Sequence, residues 1–187
     1  MFKTRRAALA LAFAVALGGC GEDDPFQPDL APEGEARFTY TGDRTGEFVG
    51  SGRLNRRNPN AGAWAVGELQ SVQGTQILGV FGQQRRADQK IDGVIIEWLG
   101  VQTGSVTCTR ETEECPFTAI FSVGTDRFSG ASETSYARSF GTVTVTSLTE
   151  DRAVGTFNLT MLRRGPEDEP PTIQAVGSFD VPLNVAN

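Results

Sequence analysis

From Arg37 onward apolar and polar residues alternate with a period of two, in short runs rich in Val, Phe, Thr and Ile and punctuated by glycine. The i, i+3, i+4 spacing of a helix face is missing from the same region. This pattern predicts strands over 37–42, 46–54, 63–70, 75–83, 92–99, 104–109, 116–123, 139–148, 153–163 and 173–182. About ten antiparallel strands in ~150 residues predict an all-β domain, either a β-sandwich or a strongly curled β-barrel.

The last third is the most regular. Val143 and Val145 alternate with threonines, and after the polar turn Thr149–Arg152 the residues Phe157, Leu159 and Met161 do the same, which predicts a hairpin with one dry and one wet face. Ile173, Ala175, Phe179 and Val181 repeat the device after the proline-bearing loop 165–171. Three strands share one motif: Gly141-Thr142-Val143-Thr144-Val145, Gly155-Thr156-Phe157-Asn158-Leu159 and Gly177-Ser178-Phe179-Asp180-Val181. Glycine is unfavourable inside strands, so Gly50, Gly52, Gly67, Gly79, Gly82 and Gly93 predict bulges or sharp bends where the sheet curls. Segment 141–185 resembles uncharacterised β-rich exported bacterial lipoproteins, a group with no assigned activity, and the resemblance implies only the fold class.

At the N-terminus Lys3, Arg5 and Arg6 precede the uncharged apolar run Ala7–Leu17. A span needs about 20 apolar residues, so this shorter run predicts a signal peptide over 1–19. The sequence Leu17-Gly18-Gly19-Cys20 resembles the lipobox of bacterial lipoproteins. That resemblance implies a diacylglyceryl group on the Cys20 thiol, cleavage before Cys20 and acylation of the new amino end. Two or more acyl chains hold a protein on a bilayer far better than one. Gly21, standing where inner-membrane lipoproteins carry Asp, implies outer-membrane residence in the cell envelope. Residues 20–36 then form an acidic, proline-bearing tether too polar to fold alone, with a reach of about 50 Å. A single domain, 37–187, follows.

Composition narrows the chemistry. The chain has 187 residues, 17 basic and 23 acidic, and no histidine. A Ser-His-Asp triad, a Cys-His pair and an HExxH zinc site are thereby excluded. Loss of residues 1–19 leaves 14 basic and 23 acidic residues, which argues against nucleic acid as a partner.

Cys108 and Cys115 remain once Cys20 carries lipid, and in an oxidising compartment they predict a disulfide, since zinc would want two more N or S ligands. Glu111, Glu113 and Glu114 between them read as a solvated tip rather than a calcium site. Asp92, Glu97 and Glu68, with Trp64 and Trp98, are the residues a carboxylate-based glycan hydrolase would draw on. Ser129 and Ser132 would need Lys90, the one lysine left after cleavage, as a base, and Lys90 reads as a loop residue. The arginine pairs 56/57, 85/86 and 163/164 read as loop solubilisers or contacts for anionic surface glycans. Gly62-Ala63-Trp64 is similar to the G-x-W opening of lipocalins, but Thr125-Asp126 is followed by Arg127 where they carry Tyr. The plainer reading of Trp64 is a core aromatic with its indole N–H on a carbonyl.

The sequence thus predicts a non-enzymatic, membrane-anchored envelope lipoprotein with a binding or structural β domain, monomeric, with no cofactor beyond the lipid on Cys20 and no metal. Its expected partners are an envelope protein, a glycan or a small apolar molecule. The alternative is a lipocalin-like carrier of a small apolar ligand or lipid, with Trp64 and Trp98 as ligand-binding candidates. A glycan hydrolase stands third.

Overall fold

The computed structural model describes residues 32–60, 62–126, 129–166 and 169–185; the signal peptide, Cys20 and most of the tether lie outside the described residues. Ten strands make up the domain: β1 Gly34–Gly42, β2 Gly46–Gly52, β3 Trp64–Val72, β4 Thr75–Arg85, β5 Ile91–Leu99, β6 Gly104–Cys108, β7 Phe117–Thr125, β8 Thr134–Leu148, β9 Arg152–Arg163 and β10 Thr172–Val185. Each expected strand is present. β1 begins within the segment assigned to the tether, and β8 begins at Thr134 rather than at 139.

Of the two architectures left open, the barrel is the one formed. Strands β3, β4, β5, β7, β8, β9 and β10 pair in a ring that closes on itself. Every pairing is antiparallel except the closing one, where Leu183–Val185 of β10 run parallel to Gly67–Leu69 of β3. Two strands of the ring share an edge between two neighbours. β10 holds β1 along 173–180 and β3 only beyond it; β8 holds β7 along 134–136 and β6 along 141–145.

The hairpin β1–β2 therefore wedges one side of the barrel open. Its free edge meets β4 through the amide of Gln84, whose Oε1 accepts from the Val49 N–H at 2.6 Å and whose Nε2 donates to the Glu47 carbonyl at 3.4 Å. A side chain here does what a ladder of backbone bonds does elsewhere, keeping strand-edge groups satisfied.

Inward-facing residues fill the barrel. Phe38 of β1 packs on Phe48 of β2, Phe121 of β7 and Phe157 of β9 with ring centroids 4.9, 5.0 and 5.6 Å apart. Tyr136 of β8 stacks on Phe121 at 6.3 Å. These rings come from different walls and meet in the middle, in the offset and edge-on geometries aromatic pairs prefer.

The strand glycines serve these rings more than they make bulges. Gly177 pairs with both Phe38 and Phe157, and Gly155 pairs with Phe179. A Cβ at Gly177 would strike the Arg37 carbonyl and Phe38, and one at Gly155 would strike the Thr144 carbonyl and the Phe179 ring. The register breaks lie instead between Ile91 and Gly93, Ala137 and Ser139, and Val145 and Ser147. Of the glycines read as bends, only Gly93 adjoins one.

Candidate functional site

Trp64 and Trp98 are not brought together. Trp98 is buried in the barrel interior, level with Leu78 and Phe117. Trp64 is half-buried on the outside, opposite Gln83. Its indole Nε1 donates to the Pro59 carbonyl at 2.6 Å, and Gln83 Nε2 donates to the same oxygen at 3.0 Å and to the Gly62 carbonyl at 3.1 Å. Trp64 and Gln83 thus pin Pro59 and Gly62 to the barrel wall, and Trp64 does not fill the core.

The carboxylates divide in the same way. Asp92 faces inward and is only 3 % exposed; it accepts from the Gly124 N–H at 2.8 Å and from Gln84 Nε2 at 2.9 Å. Glu68 and Glu97 face outward in one cross-strand row, both paired with Gly79, so that one glycine separates them. Burial raises the Glu97 carboxyl above its usual range, while Glu68 accepts from Gln70 Nε2 at 2.7 Å. The row lies on the convex wall, so Asp92 cannot join these two in one cleft. Among the described residues no group of three His, Cys, Asp or Glu is placed to hold a metal ion. Cys108 and Cys115 are joined as expected, with Cα atoms 5.8 Å apart.

A polar cap closes the side opened by the β1–β2 hairpin. Glu133, on the loop before β8, accepts from Lys90 Nζ at 2.5 Å, from Arg86 at 3.4 Å and from Arg44 at 3.5 Å. The Lys90 hydrogen bond, with Lys90 and Arg86 charge behind it, holds the Glu133 carboxyl down to about 2. Two turns far apart in sequence, β1–β2 and β4–β5, converge on this carboxylate. Beside it the buried Tyr136 hydroxyl donates to Asp43 Oδ2 at 2.8 Å, and Arg163 reaches the same oxygen at 3.4 Å. Burial and that hydrogen bond raise the Tyr136 phenol well above its usual range.

Next to the cap the outer wall carries an open groove of about 980 Å³ that four arginines help to line: Arg110, Arg138, Arg163 and Arg164. They arrive by three routes. Arg163 ends β9 and Arg164 follows it, Arg110 sits on the loop that the disulfide closes, and Arg138 is the extra residue of the β8 bulge. Arg138 has φ +54°, a left-handed conformation that costs a residue with a side chain about 1–2 kcal/mol. Bulges re-aim side chains, and a glycine or asparagine would adopt this one more cheaply. Arg110 lies over the Phe140 ring, its Cζ 5.9 Å from the centroid. Among the described residues Arg110, Arg138 and Arg164 form no ion pair, whereas Arg163 is engaged with Asp43. Leu162, Ala137 and the Pro170–Pro171 step supply apolar wall, and among the described residues Glu169 is the acidic one in the lining.

The 163/164 pair was legible in the sequence as a surface cation pair. The contributions of Arg110 and Arg138 were not, because a bulge on one strand and a disulfide loop on another bring them there.

No family model matches the chain, and no curated protein and no solved structure matches it.

Proposed function

We propose that the protein is an exported lipoprotein, anchored through acyl chains on Cys20, whose barrel is a non-enzymatic binding or structural module working from its outer surface. The observation that carries the surface half of this reading is the meeting of Phe38, Phe121 and Phe157 inside the barrel. A lumen carrier of the lipocalin kind keeps that central volume for its ligand. Here side chains from three strands occupy it, and a concave feature lined by four arginines lies outside.

The anchoring half rests on the basic start, the short apolar run and Leu17-Gly18-Gly19-Cys20. Gly21 favours the outer membrane, and the acidic tether behind it favours a domain held clear of the lipid. The chemistry left open by the absence of histidine, together with the outward position of Glu68 and Glu97 and the inward position of Asp92, favours recognition over hydrolysis. An envelope protein or a glycan is the partner class this reading names.

Two measurements test it. Acyl labelling of the chain against Cys20→Ala should mark the former and leave the latter unmarked and soluble; equal labelling of both overturns the anchor. Native mass spectrometry of the exported protein, compared with its denatured mass, should return the mass of the chain and its acyl groups alone. A further, removable mass of an apolar molecule would replace the surface reading with a lipocalin-like carrier.

A further inference from the structure

We infer that the arginine groove is a binding site for a phosphate group borne on a larger ligand; this deepens the surface-binding reading and rests on it. Three cations without ion-pair partners among the described residues, Arg110, Arg138 and Arg164, line one concavity with Arg163. Like charges repel, so an arrangement that gathers them is unfavourable until an anion enters. Guanidinium groups pair with phosphate through parallel N–H donors, and several of them suit a doubly charged oxyanion better than a single carboxylate.

The groove is also prepared in advance. Arg110 is steadied by the Phe140 ring on a loop that Cys108 and Cys115 close, and within that loop Thr112 Oγ1 accepts from the Thr109 N–H at 2.8 Å. Arg138 is held by the bulge in a conformation its residue type disfavours, and backbone strain kept in place by surrounding structure is a recurrent mark of ligand sites. Leu162 and the two prolines offer an apolar wall to whatever carries the phosphate. Among the described residues Glu169 lines the groove and Glu111 adjoins Arg110, so the bound anion must outbid carboxylates.

The tether joins the domain at the start of β1, and the groove lies by the turn where β1 ends, nine residues or about 30 Å away. A tether reaching about 50 Å lets the groove meet a phosphate on either side, so the two sources are separated by experiment.

The test uses the Cys20→Ala chain made without residues 1–19, which lacks both the acyl acceptor and the basic, apolar leader and so reports no vesicle binding through either. Inorganic pyrophosphate is titrated calorimetrically, and sedimentation with phosphatidylglycerol vesicles is compared with phosphatidylcholine vesicles. Arg138→Gly should leave the melting temperature equal or higher, because glycine suits φ +54°, while weakening pyrophosphate binding about tenfold or more. Arg110→Gln should weaken it comparably, and Arg37→Gln, on β1 and paired with Glu35, should not. Pyrophosphate binding without vesicle binding assigns a soluble or glycan-borne phosphate; vesicle binding that Arg138→Gly removes assigns a lipid headgroup. Binding of neither probe, or binding that survives Arg138→Gly, overturns the site. Such a failure leaves acylation at Cys20 and the bare native mass unaffected, so it is distinguishable from failure of the broader reading.

Discussion

The hydroxyl of Tyr136 donates to Asp43 Oδ2 at 2.8 Å, joining the start of β8 to the β1–β2 turn across 93 positions of sequence. The ring of Tyr136 is wholly buried, yet its polar tip reaches the cap, so one side chain links the aromatic core to the polar cluster. Tyr136→Phe keeps the ring and removes the bond. Because Asp43 retains Arg163 at 3.4 Å, the loss should be about 1 kcal/mol, read from urea unfolding.

The same residue sets an alkaline limit. Burial, then the Asp43 hydrogen bond, raises the folded-state phenol above its usual value of 10. A group with a raised folded-state pKa contributes stability that is whole below the unfolded value and is lost as pH climbs toward the folded one. Wild-type stability should therefore fall above pH 10 more steeply than that of Tyr136→Phe. Parallel pH profiles of the two proteins would refute the linkage.

Glu133 sets the acid counterpart. Its carboxyl is held down to about 2, first by the Lys90 hydrogen bond, and a depressed folded-state pKa gives stability that is present above the usual carboxylate range and lost as pH falls through the folded value. Glu133→Gln should be less stable than wild type at pH 7, with the gap closing between pH 4.5 and 2. The group is exposed, so salt should narrow the gap at neutral pH as well. A gap that is constant from pH 7 to 2 would assign the effect to lost packing.

These contacts also mark the limit of what the sequence reveals. Strands are legible because a half-buried strand must alternate, and β9 does so from Ala153 to Met161 without a break. β8 is legible only from 139 because Arg138 is inserted ahead of it, flipping the parity that would have exposed Tyr136 as an inward residue. The repeated glycine motif was visible, but its reason was not: Gly155 and Gly177 answer to Phe179, Phe157 and Phe38 on other strands. Trp64 was correctly expected to place its indole N–H on a carbonyl, but the carbonyl belongs to a loop lying outside the barrel. The cap and the groove consist of residues from separate turns, and no local spacing encodes their convergence.

The disulfide should matter to both fold and groove. Closing so short a loop stabilises by about 2–3 kcal/mol in the chain-entropy model, so Cys108→Ser with Cys115→Ser should lower the urea midpoint by a corresponding amount. Cys108 is buried against the core, so the double variant separates loss of the bond from an unpaired thiol. Wild type in reductant should shift toward the double variant, while the double variant should not respond to reductant. A reductant effect on the double variant would mean that the bond is not what the reductant acts on.

The packed interior gives the sharpest contrast between a solid barrel and a carrying one. Phe121 touches Phe38, Tyr40, Phe48 and Tyr136, and none of its side chain is exposed. If that contact set is the core, Phe121→Ala leaves a cavity that rigid neighbours on three other strands, β1, β2 and β8, cannot collapse, at a cost of about 3–5 kcal/mol. In a carrier, where the ring would line a space already open, the same change would cost little more than the transfer of the ring. Gly177→Ala probes the same packing from the other side, since its new methyl would meet the Arg37 carbonyl and the Cβ and Cα of Phe38 rather than open space. Both variants should be destabilised by more than Tyr136→Phe when unfolded in urea. A Phe121→Ala protein within about 1 kcal/mol of wild type would show that the rings do not form the load of the core, and would return the lumen to consideration as a binding site.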